Sequence, residues 1–335
     1  MYRVILVLLV FFISSSPSFS ADYKKVALVS VSSKYNVQKV DKIKESLTEC
    51  HYQVSTKYLN QFVSDFGYVA SDKSRAKHLI DALLDDDIDV VWFVKGGGGA
   101  MNLLPYLEQA HSQLVKAKPK IIVGFSDVTA IHNYLNEKLG WNSVHGVVAS
   151  FNTNVFDTQQ VTSDEPKLRI NDLEPLPNIG RIVRDGIDYD QLLPMNQAAE
   201  MTPVEGVLIG GNHTLVAATI GTRFSPDFNG KILFLEDVGV SYRQLDRSLQ
   251  QLLFLNDFNV SGIVFGQYFP LEADDADRLI FKTVIAEFAK KFNKPVYYYP
   301  AIGHGRENHP LILGAKASLV CEDNNEYCTL KQKIN

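Results

Sequence analysis

The sequence predicts an α/β fold: an N-terminal parallel-sheet domain in three layers, with a serine on a strand-to-helix elbow, and a smaller mixed α/β C-terminal domain. Three observations predict it. Short apolar runs alternate with amphipathic stretches from Lys25 to Gly140, the rhythm of parallel strands joined by crossover helices. That rhythm fades between Phe151 and Thr202, where Pro166, Pro175, Pro177 and Pro194 interrupt it, and then resumes. The 335 residues suffice for two ordinary domains. The expected division is a leader over 1–20, a first domain over 21–150, a connecting segment over 151–202 and a second domain over 203–335.

The leader comes first. Arg3 precedes an unbroken apolar run, Val4–Ile13, and then "SSSPSFSAD" with small residues at Ser18 and Ser20. This is the pattern of a secretory signal peptide, with cleavage expected before Ala21. The run falls well short of the ~20 residues that span a bilayer as a helix. The first cysteine is Cys50, so no lipid-carrying cysteine follows the cleavage point. The expected product is exported, periplasmic or secreted, with no stable membrane anchor. Its formal net charge of −5, without a long basic run, argues against nucleic acid or an anionic membrane as partner.

"KVALVSV" opens the first domain as a strand. "VQKVDKIKESLTEC" follows with Val37, Val40, Ile43 and Leu47 at helical spacing. "QVSTKY" reads as a strand and "DKSRAKHLIDALLDD" as a helix, with Ser71 placed to cap it. "DVVWFV" is a buried strand leading into "KGGGGA" and the helical "MNLLPYLEQA". "KIIVG" is the next strand, and "DVTAIHNYLNEKLG" a helix closed by Gly140. In the faded region "GRIVRDG" reads as a short strand. Beyond it come "VEGVLIGGN" and helical "HTLVAATIGT", then "KILFLE" and helical "YRQLDRSLQQLLFL". "GIVFGQ", the long helix "DADRLIFKTVIAEFAKKF" and "PVYYYP" follow. "HPLILGAKASLV" reads as a strand pair.

In such sheets, sites form where strands end and helices begin. "KGGGGA" (Lys95–Ala100) lacks the spacing of a Walker or dinucleotide loop. Its glycines suit either close backbone approach to a ligand or a plain βα turn. Ser126, after "KIIVGF", is placed either as a helix N-cap or as a nucleophile on a sharp elbow, although position 128 is Val rather than a second glycine. A serine nucleophile needs a base and a group that orients the base. His51, His78, His111 and His132 lie in or beside amphipathic helices and read as surface or core-edge residues. His145, His213, His304 and His309 lie near glycines or strand ends. Glu236 and Asp237 end "KILFLED" and are functional groups or loop charges. His304, Glu307 and His309 in "HGRENH" do not have the spacing of a helical zinc motif, so neither metal nor cofactor is expected. Cys321 and Cys328 bracket the turn-like "EDNNEY" and would close a short hairpin in an oxidising compartment, leaving Cys50 unpaired.

Taken together, "VALVSVSS", "VVWFVKGGGGAMNLLPYL", "KIIVGFSDVTAIHNYL", "VHGVV", "GVLIGGNHTLVAATIGT", "ILFLEDVGVSYRQLDRSLQQL" and "IGHGRENHPLILGAKASL" resemble, in order, the serine LD-carboxypeptidases (muramoyltetrapeptide carboxypeptidases) and the related microcin C self-immunity peptidases. The resemblance covers most of the chain beyond the leader. It implies a Ser-His-Glu triad of Ser126, His304 and Glu236, set between domains, and a homodimer. It places an oxyanion hole at the glycine turn, around Gly97 and Gly98, and at the N–H of Asp127. Lys95, Arg243 and Arg306 become candidates to hold a substrate carboxylate. The implied substrate is a peptidoglycan-derived tetrapeptide ending in D-alanine. The alternatives are a microcin-immunity-type peptidase acting on aminoacyl- or peptidyl-nucleotide conjugates, and a catalytically silent peptide-binding homologue. The complete triad argues against the silent protein. The sequence departs from the family where Lys95 and plain glycines replace an Arg-led turn with an aromatic. It departs again at "HGV" (His145–Val147), and at His213, where an aliphatic residue is common. A nucleobase would want an aromatic platform. Trp92 lies in an expected buried strand, Trp141 follows a helix end, and the connecting segment offers Phe151, Phe156 and Tyr189 but no tryptophan.

Overall fold

The computed structural model describes residues 25–334 except 50, 65, 147, 150–178, 271, 306, 323 and 324. The expected leader, Cys50, Phe151, Phe156 and Arg306 lie outside the described residues. The first half contains β1 (Lys25–Val29), α1 (Lys39–Glu49), β2 (Gln53–Ser55), α2 (Asp72–Leu84) and β3 (Val90–Phe93). A 3-10 turn (Ala100–Leu103) then leads into α3 (Leu104–Gln109), α4 (His111–Leu114) and β4 (Ile121–Gly124). A second 3-10 turn (Ser126–Val128) leads into α5 (Thr129–Leu139) and β5 (Ser143–His145). Ser71 caps α2 by accepting from the Ser74 N–H, and Gly140 closes α5 in the left-handed region.

These strands form one sheet in the order β5-β4-β3-β1-β2, all parallel. Successive side chains of a strand face opposite ways, and two cores result. Ala27, Val29, Val91 and Phe93 pack on one face with α2, α3 and α5. Val26, Leu28, Val90 and Trp92 pack on the other with α1. The chain reverses its strand order between β1 and β3, so the ends of β1, β3 and β4 open onto one crevice.

The second half contains α6 (Ile179–Asp185), β6 (Ile187–Pro194), α7 (Gln197–Met201), β7 (Val204–Asn212), α8 (His213–Thr219), β8 (Ile232–Glu236), α9 (Tyr242–Phe254), β9 (Gly262–Phe265), α10 (Asp275–Lys291), β10 (Val296–Tyr298), β11 (Leu311–Leu313), β12 (Lys316–Cys321) and β13 (Cys328–Lys333). Parallel β7, β8, β9 and β10 are joined by α8, α9 and α10. Antiparallel β6, β13 and β12 complete a closed barrel with them. Leu208, Phe234, Val264 and Tyr297 fill its inside. Leu233, Leu235, Ile263 and Phe265 meet α9 and α10 outside it.

Three expectations are corrected. "GRIVRDG" is helix α6, because Ile179, Ile182 and Val183 share a helical stripe, with Ile182 in the barrel interior and Ile179 and Val183 on the α1 face of the first sheet. The connecting segment does not extend to 202. Residues from Ile187 form β6 and α7 of the barrel, and the polar outward residues and a register shift opposite Cys328/Leu330 hide the alternation. Tyr189 therefore belongs to the barrel, its ring 5.5 Å from that of Tyr299. "HPLILGAKASLV" does supply two strands, but they do not pair. β11 joins the first sheet antiparallel to β5, while β12 joins the barrel.

Candidate active site

The elbow at Ser126 is built by sterics. β4 is buried along its length and ends at Gly124, and the chain must turn at once to start α5. Ser126 takes φ 66°, one of two described non-glycine residues with positive φ. Such backbone costs a residue with a Cβ roughly 1–2 kcal/mol, and strained positions of this kind cluster at functional sites. Ser126 is not a side-chain cap. Phe125 stands at the cap position of the 3-10 turn and Val128 at that of α5, neither with a side-chain cap bond. The backbone at Ser126 is therefore an elbow and not a capped helix start. His132, one turn into α5, is fully buried rather than a core-edge residue, and its ring nitrogen lies 2.9 Å from the Gly124 carbonyl. Burial drives its pKa down to about 4, so Nε2 carries a proton and donates to that carbonyl from a neutral ring.

The glycine turn packs against this elbow. A Cβ on Gly96 would lie 3.1 Å from the Cβ and 3.4 Å from the Oγ of Ser126, so a glycine faces the serine. Gly97 has φ 114°, and a Cβ there would lie 2.2 Å from Ser33 Oγ. The Asp127 carboxylate, buried below, accepts the Ala100 N–H at 2.9 Å. Burial pushes the Asp127 carboxyl up, against the Ser32 and Ala100 hydrogen bonds and the Arg75 charge. Arg75, wholly buried, donates to the carbonyls of Val31 and, at 2.9 Å, Gly99, pairs with Asp72, and lies over the Tyr68 ring. Gly96, Arg75 and His132 escape the sequence reading. The glycine run points to the first, but nothing marks Arg75 or His132 as buried among ordinary amphipathic helices.

The other half of the site sits at the ends of β8 and β10. Glu236 closes β8 and is fully buried, with Oε2 2.6 Å from His304 Nδ1. Nδ1 therefore carries the ring proton and Nε2 is left as the acceptor. Burial works against a protonated His304, but the Glu236 charge and hydrogen bond, with Asp237 behind them, raise its pKa above the ordinary value. Gly303 has φ 131°, and a Cβ there would lie 3.0 Å from Glu236 Oε2. Its N–H donates to Asn308 Oδ1 at 3.0 Å. The neighbouring Asp237 instead ties β8 to the start of α8. It accepts from Asn212 Nδ2 at 3.0 Å and from the Thr214 N–H and hydroxyl at 2.9 and 2.7 Å.

The two halves meet at Phe125 and Thr129. The Phe125 ring, next to Ser126, lies 4.6 Å from the His304 ring. Thr129 Oγ1 accepts the Asn212 N–H at 2.9 Å, tying the start of α5 to the end of β7. Ser126, Asp127, Glu236, His304 and the glycine turn are thus brought together. Lys95 is exposed at the end of β3, and Arg243 is exposed on the first turn of α9 with its guanidinium over Tyr242. Among the described residues, neither is hydrogen-bonded or ion-paired to Ser126, Glu236 or His304. His304 and His309 face different partners, Glu236 and Tyr299, and among the described residues no group of His, Cys, Asp and Glu is placed to hold a metal.

Comparison with known proteins identifies the two domains. Residues 26–146 match the LD-carboxypeptidase N-terminal domain, and residues 205–319 match the LD-carboxypeptidase C-terminal domain. A murein tetrapeptide carboxypeptidase of Pseudomonas aeruginosa is 31% identical over 74% of this chain and 77% of its own. Among solved structures, an MccF-like protein from Bacillus anthracis superposes with a TM-score of 0.70 at 20% identity, over 93% of this chain and 97% of that one. A muramoyltetrapeptide carboxypeptidase from Oxalobacter formigenes superposes with a TM-score of 0.68 at 22% identity, over 93% and 99%. With both of its domains matched, and its barrel and sheet arranged as in these neighbours, the chain belongs to the LD-carboxypeptidase family.

Proposed function

We propose that the protein is an exported serine peptidase that releases the terminal D-alanine of murein tetrapeptides. The observation that carries it is the buried Glu236–His304 pair at 2.6 Å, next to the elbow of a serine held at positive φ. His304 Nε2 takes the Ser126 proton as Oγ attacks the scissile carbonyl, and later returns it to the leaving D-alanine amine. Glu236 fixes the tautomer and stabilises the imidazolium. The N–H groups of the glycine turn and of Asp127 hold the oxyanion, an interaction worth about 3–4 kcal/mol per donor. The similarity to a murein tetrapeptide carboxypeptidase supports the substrate class. Arg3, the run Val4–Ile13 and the small residues before Ala21 support export to the compartment that holds that substrate. A homodimer follows from the family resemblance. The test is hydrolysis of a disaccharide-tetrapeptide: free D-alanine is expected, with none from an all-L analogue. Faster cleavage of an aspartyl-adenylate mimic would move the substrate to the microcin type and leave the triad standing.

A further inference from the structure

Behind the loop that carries His304, on the barrel side, lies a cavity of about 650 Å³. The triad does not line it. The loop does, through Ala301 and Glu307 on either side of His304, and so does Gln267, whose Oε1 would lie 1.9 Å from a Cβ on Gly305. The cavity thus shares its wall with the catalytic loop. Its size falls in the range of roughly 300–1,000 Å³ that encloses a drug-sized ligand, well above a single amino acid.

Its charges are of both signs and come from separate elements. Arg278 and Lys282 stand one turn apart on α10. Neither is ion-paired among the described residues. Arg278 is already positioned: its guanidinium lies 5.2 Å from the Phe269 ring centre and its Nε donates to the Ala273 carbonyl at 3.2 Å. Glu307 from the His304 loop, whose Oε2 lies 3.9 Å from His309 Nε2, and Glu326 from the β12–β13 turn supply the negative groups. The Arg278 charge acts on Tyr298 and the Glu307 charge on Tyr299, so opposite charges flank successive residues of a buried aromatic floor. Tyr327, 40% exposed, forms the rim beside the disulfide-closed hairpin. A simple anion would meet two carboxylates here, and a simple cation would meet two basic groups. A ligand with both charges and a backbone between them complements both signs.

We propose that this cavity binds the body of a zwitterionic peptide, carboxylates toward Arg278 and Lys282 and ammonium toward Glu307 and Glu326. The choice of a murein tetrapeptide as that peptide rests on the peptidase reading; the cavity's preference for a zwitterion does not. Bound there, the peptide lies against the His304 loop, so the cavity sets affinity rather than the chemical step. Calorimetry of the murein tetrapeptide with the full chain carrying Ser126→Ala gives the reference Kd. Adding Arg278→Glu and Lys282→Glu is expected to weaken binding at least tenfold. Adding only Glu326→Lys, on an exposed turn that does not endanger folding, is expected to weaken it about threefold or more. With Ser126 intact, the same changes raise KM and leave kcat within about threefold. Unchanged Kd in both variants, with melting curves like the parent's, overturns the proposal. So does a fall in kcat with KM constant, or succinate binding as tightly as the peptide. If the wild-type chain releases no D-alanine yet the peptide binds and the variants weaken it, the cavity assignment stands and the peptidase reading falls.

Discussion

Ser126 combines a strained backbone with the absence of any capping bond, and neither helps the fold. Ser126→Ala should therefore leave the melting temperature nearly unchanged while cutting kcat by about 10⁴-fold or more. Ser126→Gly should go further and raise the melting temperature, since it releases roughly 1–2 kcal/mol of left-handed strain; thermal unfolding of the three proteins side by side reads this. His304 sets the pH dependence. Its pKa is raised against burial by Glu236, and the base must be neutral, so kcat/KM should rise with pH through a value above about 6.5. Glu236→Gln removes the raising charge. It should lower the rate by about 10²–10⁴-fold and shift the acid limb of the remaining profile to lower pH, which a kcat/KM series from pH 5 to 9 checks. The stability linkage runs the opposite way with pH. A pKa raised on folding adds stability that is full below the unfolded value and disappears as pH climbs past the folded one.

Secondary elements explain why the three candidate positions are legible in the sequence and their supports are not. Ser126, Glu236 and His304 each stand at or beyond the end of a strongly apolar strand, so pattern marks them as strand-end candidates, and the family resemblance is what groups them as a triad. Gly96 needs the tertiary approach of β3's loop to β4's elbow, and Arg75 needs the knowledge that α2 turns that face inward under the glycine turn. β6 is hidden because its outward residues are polar and a bulge shifts its partner strand. β11 reads as half of a hairpin because local pattern cannot say which sheet a short strand joins. Gly96→Ala tests the element-level contact directly. Gly96 is not at positive φ, so the methyl strains no backbone; it meets Ser126 at 3.1 Å. Activity should fall at least tenfold while the melting temperature moves by no more than a few degrees. Full activity in that variant would mean that the turn does not abut the reacting serine.

The two halves of the molecule exchange an element: β11, from the C-terminal half, completes the edge of the N-terminal sheet, while its residues also pack in the barrel core. Unfolding of either half should therefore disturb the other, and with it the gap between Ser126 and the Glu236–His304 pair. The chain end beyond β11 depends on the hairpin β12–β13, in which Cys321 and Cys328 are direct cross-strand partners joined by a disulfide. Sulfur pairing of this kind persists in oxidising compartments and is rare in a reduced cytosol, so the bond would be kept by the export proposed above. Closing a loop this short is worth about 2–3 kcal/mol in the chain-entropy model. Protein recovered from the periplasm should give a non-reduced peptide in which Cys321 and Cys328 are linked. Cys321→Ser/Cys328→Ser should lower the denaturant midpoint while sparing kcat, because the triad takes no residue from the hairpin. The same chain expressed without residues 1–20 should stay in the cytosol with both thiols free. Finding both thiols free in the exported protein would separate the leader from the disulfide and leave the hairpin to be held by its strand pairing alone.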